Sequence, residues 1–167
     1  HYYAFQVTEC EYYDPYYYPN NFQNNPTEAI SALGPPDGTP SSLGKGGMIV
    51  LDMGENAIIA DNLGNDFIVY ESDDPDGYQL YASQNWNGPW QSFGTNYGTN
   101  GFDLASVGLS SARFIKIIDD NDGDAYETNP GFDLDAIEAL NLSTINLPPE
   151  ANFSYNPDQP LTRDLIS

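Results

Sequence analysis

An all-β sandwich is the fold class that this chain of 167 residues predicts. Three observations carry the prediction. Apolar residues come in short runs rich in Val, Ile, Phe and Tyr; Gly, Asn, Asp or Pro bounds each run; and a sustained helical period is missing. In chain order the runs are "MIVLDM" (48–53), "AIIA" (57–60), "DFIVYE" (66–71), "YQLYAS" (78–83), "WQSFG" (90–94), "RFIKIID" (113–119) and "LDAIEALNL" (134–142). In "DFIVYE" and "RFIKIID" apolar residues fall on both parities, the pattern of strands covered on both faces. "LDAIEAL" admits a helix by its spacing, but its short length and the strands before it favour a strand. The expected fold has long loops and at most one or two short helices. The helical candidate is "NPTEAISAL" (25–33), with Pro early, Glu in the first turn and Gly34 at the end. The first 30 residues are otherwise polar, Tyr-rich and Pro-punctuated, with "YYDPYYYPNN" (12–21) as an extended surface loop.

Composition bounds the function. Twenty-five acidic residues stand against four basic ones, giving a net charge of -21. Lys45, Arg113, Lys116 and Arg163 cannot build a basic patch, so nucleic acid and anionic membrane surfaces are unfavoured partners. No apolar run approaches the length of a membrane span. Plentiful Tyr, Asn, Gly and Pro with sparse Lys point to an extracellular, cell-surface setting. The sequons Asn141-Leu-Ser143 and Asn152-Phe-Ser154 would suit a glycoprotein there. Cys10 is the single cysteine, so no internal disulfide forms. One histidine and one cysteine leave no Ser-His-Asp or Cys-His set, no Cys/His zinc site, and no second His for a copper site at His1. Carboxylate pairs for glycoside hydrolysis exist by number alone, among so many acids. A non-enzymatic protein is the expectation.

Two parts divide the chain: a sandwich domain over 1–146 and a tail over 147–167. "PPEANFSYNPDQPLTRDLIS" holds four prolines and little apolar periodicity, reading as a linker that ends in a possible unpaired strand, "LTRDLIS".

The blocks "ALGPPDG…SLGKGGMIVLDMG", "DNLGNDFIVYE", "ARFIKIIDD" and "GFDLDAIEAL" resemble secreted prokaryotic cell-surface domains of the galactose-binding-like, discoidin-like jelly-roll type, over residues 28–142. The tail resembles the opening of a polycystic-kidney-disease-type module. The first resemblance implies a jelly-roll sandwich with a structural Ca²⁺ between an early loop and an acidic residue near the end. The matching positions are Asp37 in "PPDG" and Glu138 in "DAIEAL". On a regular strand Glu138 shares a face with Leu134, Ala136 and Leu140 and points inward, where a carboxylate needs a partner. A metal would serve, and so would loop amides, Arg113 or Lys116.

A second acidic candidate is "DDNDGDAYETNPGFDLDAIE" (119–138), where Asp120, Asp122 and Asp124 alternate around Gly123. Ca²⁺ takes six to eight oxygen ligands and would relieve the crowding of like charges. The spacing is not that of an EF-hand, and a solvated hairpin loop is the competing reading. Asp66 and Glu71 lie on opposite faces of one strand and read as acceptors for loop amides. Trp86 and Trp90, with Tyr97 nearby, offer flat rings for stacking on sugars or, more plainly, anchors for a loop.

Taken together these features suggest a calcium-stabilised extracellular structural or adhesive protein. A homo-oligomer, filament or surface layer would form through its tail, or it would bind other cell-surface proteins. The alternative is a carbohydrate-binding module of a larger secreted protein.

Overall fold

The computed structural model describes residues 2–11, 29–72, 75–122 and 131–143. Among them the chain is an all-β sandwich, as expected. The strands are β1 (Tyr2–Tyr3), β2 (Gln6–Glu11), β3 (Ser41–Ser42), β4 (Met48–Asp52), β5 (Ile59–Ala60), β6 (Phe67–Glu71), β7 (Gly77–Ser83), β8 (Gln91–Tyr97), β9 (Asn100–Phe102), β10 (Ser111–Ala112), β11 (Phe114–Asp119) and β12 (Asp133–Ala139). One five-stranded sheet runs β1-β12-β6-β9 with β3 also on β12; the other runs β2-β4-β11-β7-β8; β5 and β10 form a separate pair. All described ladders are antiparallel.

Alternation on the second sheet shows how sequence becomes layer. Ile49 and Leu51 of β4, Leu80 and Ala82 of β7, and Ile115 and Ile117 of β11 are all buried in the core between the sheets. Burying each large side chain contributes about 1.5–3 kcal/mol. The other parity forms an outer face, where register aligns Glu9, Val50, Lys116, Tyr81 and Ser92 in one row. Both parities of β11 are at least partly covered, as its sequence implies. Aromatic rings close the core between the sheets. Phe67 stacks on Phe102 at 5.3 Å and meets Phe93 edge-on at 5.7 Å, while Tyr78 lies 4.2 Å from Phe132, all centroid to centroid.

Each long apolar run forms a strand, including 134–142. The polar N-terminal segment, for which no strand was expected, supplies β1 and β2, and the short β3, β9 and β10 were not expected either. Strands of two or three residues, or with polar alternation like "QVTECE", carry little apolar signal of their own; their partners impose them. The helix expected over 25–33 reduces, among described residues, to a 3₁₀ turn at Ile30–Ala32, with 25–28 outside them. A second 3₁₀ turn at Leu104–Val107 is capped by the Asp103 side chain, which accepts from the Ala105 N–H. The tail 147–167, with "LTRDLIS" and Asn152, lies outside the described residues, as do the Tyr-rich 12–21 segment and Asp124.

Candidate functional site

Six carboxylates are buried among the described residues: Asp52, Asp66, Asp119, Asp133, Asp135 and Glu138. A buried charge needs partners, and most of these acids find them in backbone amides or hydroxyls. Asp66 accepts from the Asn62 N–H at 2.8 Å, the Leu104 N–H at 2.8 Å and the Asn141 side-chain amide at 3.0 Å. Asp119 accepts from the N–H groups of Gly46, Asn121 and Phe132. Asp133 accepts from the Ser42 hydroxyl. Asp52 takes an Arg, in a bidentate pair with Arg113 at 2.7 and 2.8 Å. Burial works to raise the Asp52 carboxyl, but Arg113 and the Gly54 N–H outweigh it and hold it below the usual range. Most of these acids therefore staple one stretch of chain to another.

The early loop and the last strand do meet, through a residue that sequence reasoning passed over. Asp135 accepts from the Asp37 N–H at 3.2 Å and the Gly38 N–H at 3.1 Å, while Asp37 itself caps the Thr39 N–H at 2.9 Å. Glu138 accepts from the Tyr70 hydroxyl at 2.6 Å, a bond that, with burial, pushes that phenol up to about 12. Glu138 is buried and keeps the parity of Ala136 and half-exposed Leu140, as expected, but a register shift between Leu134 and Ala136 takes Leu134 off that face. Beyond the shift, Ile137 and Ala139 join Leu134 in the core. The Tyr70 hydroxyl is thus a partner that the sequence did not suggest. Asp37 and Glu138 offer hard oxygen donors of the kind Ca²⁺ takes, though the bonds just described join them to different neighbours.

At one end of the sandwich, acids crowd together. Glu71 accepts from the Asp76 N–H at 2.8 Å and faces the charges of Asp76 and Asp133. Burial, with those charges, pushes its carboxyl up to about 7. Asp120 lies against Gly77, where a Cβ would overlap its carboxylate. Burial and the neighbouring Asp122 and Asp119 push Asp120 up to about 6. The charges that act on Glu71 and on Asp120 are thus acidic ones. Asp120 and Asp122 stand together, as the alternating pattern predicts. A further trio not anticipated from the sequence, Asp61, Asp66 and Asp103, brings three carboxylate oxygens within 4.8 Å of one another. Its buried member, Asp66, is already held by the three donors above.

The two tryptophans part company. Trp86 sits in the β7–β8 turn and is 59 % exposed, as is Tyr97 at the end of β8. Trp90 instead lies half-buried against the outer sheet face, its ring 4.5 Å from the Lys116 ammonium. Asn141 directs its side-chain amide to the Asn65 carbonyl and the Asp66 carboxylate, so that amide is engaged within the fold.

No protein-family model and no curated protein matches the chain. Among solved structures, a GH29 fucosidase from Ruminococcus gnavus in complex with fucose, and a point variant of it, are similar at a TM-score of 0.39 and 14% identity. The match covers 60% of this chain and 19% of that one, so the chain spans about a fifth of that protein's length.

Proposed function

We propose that this domain is a non-enzymatic, calcium-stabilised module of an extracellular cell surface, structural or adhesive in its work. The observation that supports this reading best is the acidic end, where burial first and then neighbouring like charges hold the Glu71 and Asp120 carboxyls well above their usual range. Asp76, Asp119, Asp122 and Asp133 are the acids that press on them. Like charges in such a site favour a proton or a cation, and carboxylate oxygens suit Ca²⁺. Asp120 and Asp122 are the candidates from one loop, and Asp37 and Glu138 are the candidates carried by the discoidin-like resemblance. Bound Ca²⁺ would supply charge neutralisation and loop order.

Light scattering and thermal unfolding, in calcium and after chelation, test the proposal. The expected result is a higher melting temperature in calcium, a gain that shrinks in Asp120→Asn, and an assembly that dissociates on chelation. Equal melting curves in both conditions would remove calcium. A monomer throughout would remove self-assembly.

A second reading, a carbohydrate-binding module, is favoured by one observation: an indole 59 % exposed at the β7–β8 turn, with Tyr97 equally exposed at the other end of β8. Flat aromatic faces suit sugar C–H surfaces. Loss of glycan-array signals in Trp86→Ala would support it, and an array without hits would end it.

A further inference from the structure

The outer face of the β2-β4-β11-β7-β8 sheet holds a cation with no anion bonded to it among the described residues. Lys116 projects from β11 between two rings, its Nζ 4.8 Å from the Tyr81 centroid and 4.5 Å from that of Trp90. Lys116 makes no hydrogen bond or ion pair among the described residues, in a chain with 25 acids. Arg113, which immediately precedes the first residue of β11, is by contrast paired with Asp52 and Glu55.

An ammonium carries three donors. Ring faces attract it electrostatically but leave those donors without an oxygen acceptor. Burial lowers the Lys116 pKa, and the Glu9 charge works against that shift. Two polar groups flank the site. Gln79 accepts from the Tyr81 hydroxyl at 2.8 Å, and exposed Ser92 stands opposite Tyr81 across the β7–β8 ladder.

We propose that Lys116, walled by Tyr81 and Trp90, binds the carboxylate of a glycan end that bears a single acidic sugar. One cation suits one carboxylate, whereas a polyanion would meet the field of a chain with net charge -21. The carboxylate accepts from Nζ in a charge-assisted bond. The two rings offer apolar surface to the sugar's C–H groups, and Gln79 and Ser92 lie within the same patch for its hydroxyls. This inference rests on the carbohydrate-binding reading and names its ligand class, at a place distinct from Trp86.

Isothermal titration with sialyllactose, glucuronic acid and lactose tests it. The acidic sugars are expected to bind and lactose is not. Lys116→Met should weaken binding by about tenfold or more, the loss of one charge-assisted bond, while Lys116→Arg retains most of it. Near-UV circular dichroism of both variants checks that the sheet face is intact. Equal binding of acidic and neutral sugars, or acidic binding unchanged in Lys116→Met, would overturn the site. Self-association abolished by Lys116→Met would overturn it in favour of a carboxylate from a second copy. Neutral-glycan binding lost only in Trp86→Ala would overturn the site yet leave the module reading standing; no binding to any glycan would remove both.

Discussion

Asp66 shows how one side chain joins three pieces of chain. Its carboxylate, wholly buried, takes N–H groups from the 62–66 loop, from the Leu104 turn and from Asn141. Charge-assisted bonds of this kind each contribute about 1.5–3 kcal/mol, and a donor left buried without an acceptor costs about 1–3 kcal/mol. Asp66→Ala strands the buried Leu104 N–H and leaves the Asn141 side-chain amide only its bond to the Asn65 carbonyl, so urea denaturation should show a loss of about 2–4 kcal/mol. Asp66→Asn keeps the size but offers a single acceptor oxygen, and should fall between wild type and Ala. Equal stability of all three proteins would show that water replaces the carboxylate at no cost.

At the scale of the element, β12 carries the most consequence. All seven of its residues, Asp133–Ala139, are buried, and it pairs with β1, β3 and β6. The register shift after Leu134 turns the strand so that Asp135 reaches the 37–38 amides while Ile137 returns to the core. Asp135→Ala should therefore release the early loop without unfolding the sheet. The expected readout is faster hydrogen exchange at the Asp37 and Gly38 amides, with a global loss of about 1–3 kcal/mol. Unchanged exchange there would show that the loop is held by other contacts.

Across the whole molecule, charge sets the pH response. Glu71 is raised from 4.5 to about 7, so the folded state binds its proton more tightly than the unfolded chain does. The stability from that proton is fully present below about 4.5 and is lost as pH rises through about 7. Asp52 works in the opposite sense: its lowered carboxyl contributes stability above 3.8 that is lost as pH falls through its still lower folded value. The two together place maximal stability in mildly acidic solution when calcium is absent. Melting temperature should fall between about pH 5 and pH 8, and Glu71→Gln should flatten that slope. A slope unchanged in Glu71→Gln would assign the effect to other acids. Added calcium should offset part of the loss at the upper end of the range.

Legibility in the sequence followed side-chain chemistry along the chain. "MIVLD", "FIVYE" and "FIKIID" declare their strands because β-branched and aromatic residues favour a pleated, covered surface wherever they sit. The nearness of Asp120 to Asp122 was equally local, a matter of two positions in one loop. Asp66 reads as a loop-amide acceptor from its own neighbourhood, and the fold agrees. What the chain order could not carry was contact between distant positions. Asp135 finds Asp37 and Gly38 nearly a hundred residues away, at separations of 98 and 97. Glu138 finds Tyr70 on the neighbouring strand, and a register shift takes Leu134 off the face of Glu138, which simple alternation does not foresee. Trp86 and Trp90, four positions apart, look equivalent until the sheet supplies Lys116 to one and solvent to the other. The sequence by itself determined the all-β class and the acidic character, because both are sums over local chemistry. Only the tertiary structure decided which carboxylates are stapled to amides, which acids crowd at one end of the sandwich, and which aromatic ring shares a lysine, because each depends on pairing between strands far apart in the chain.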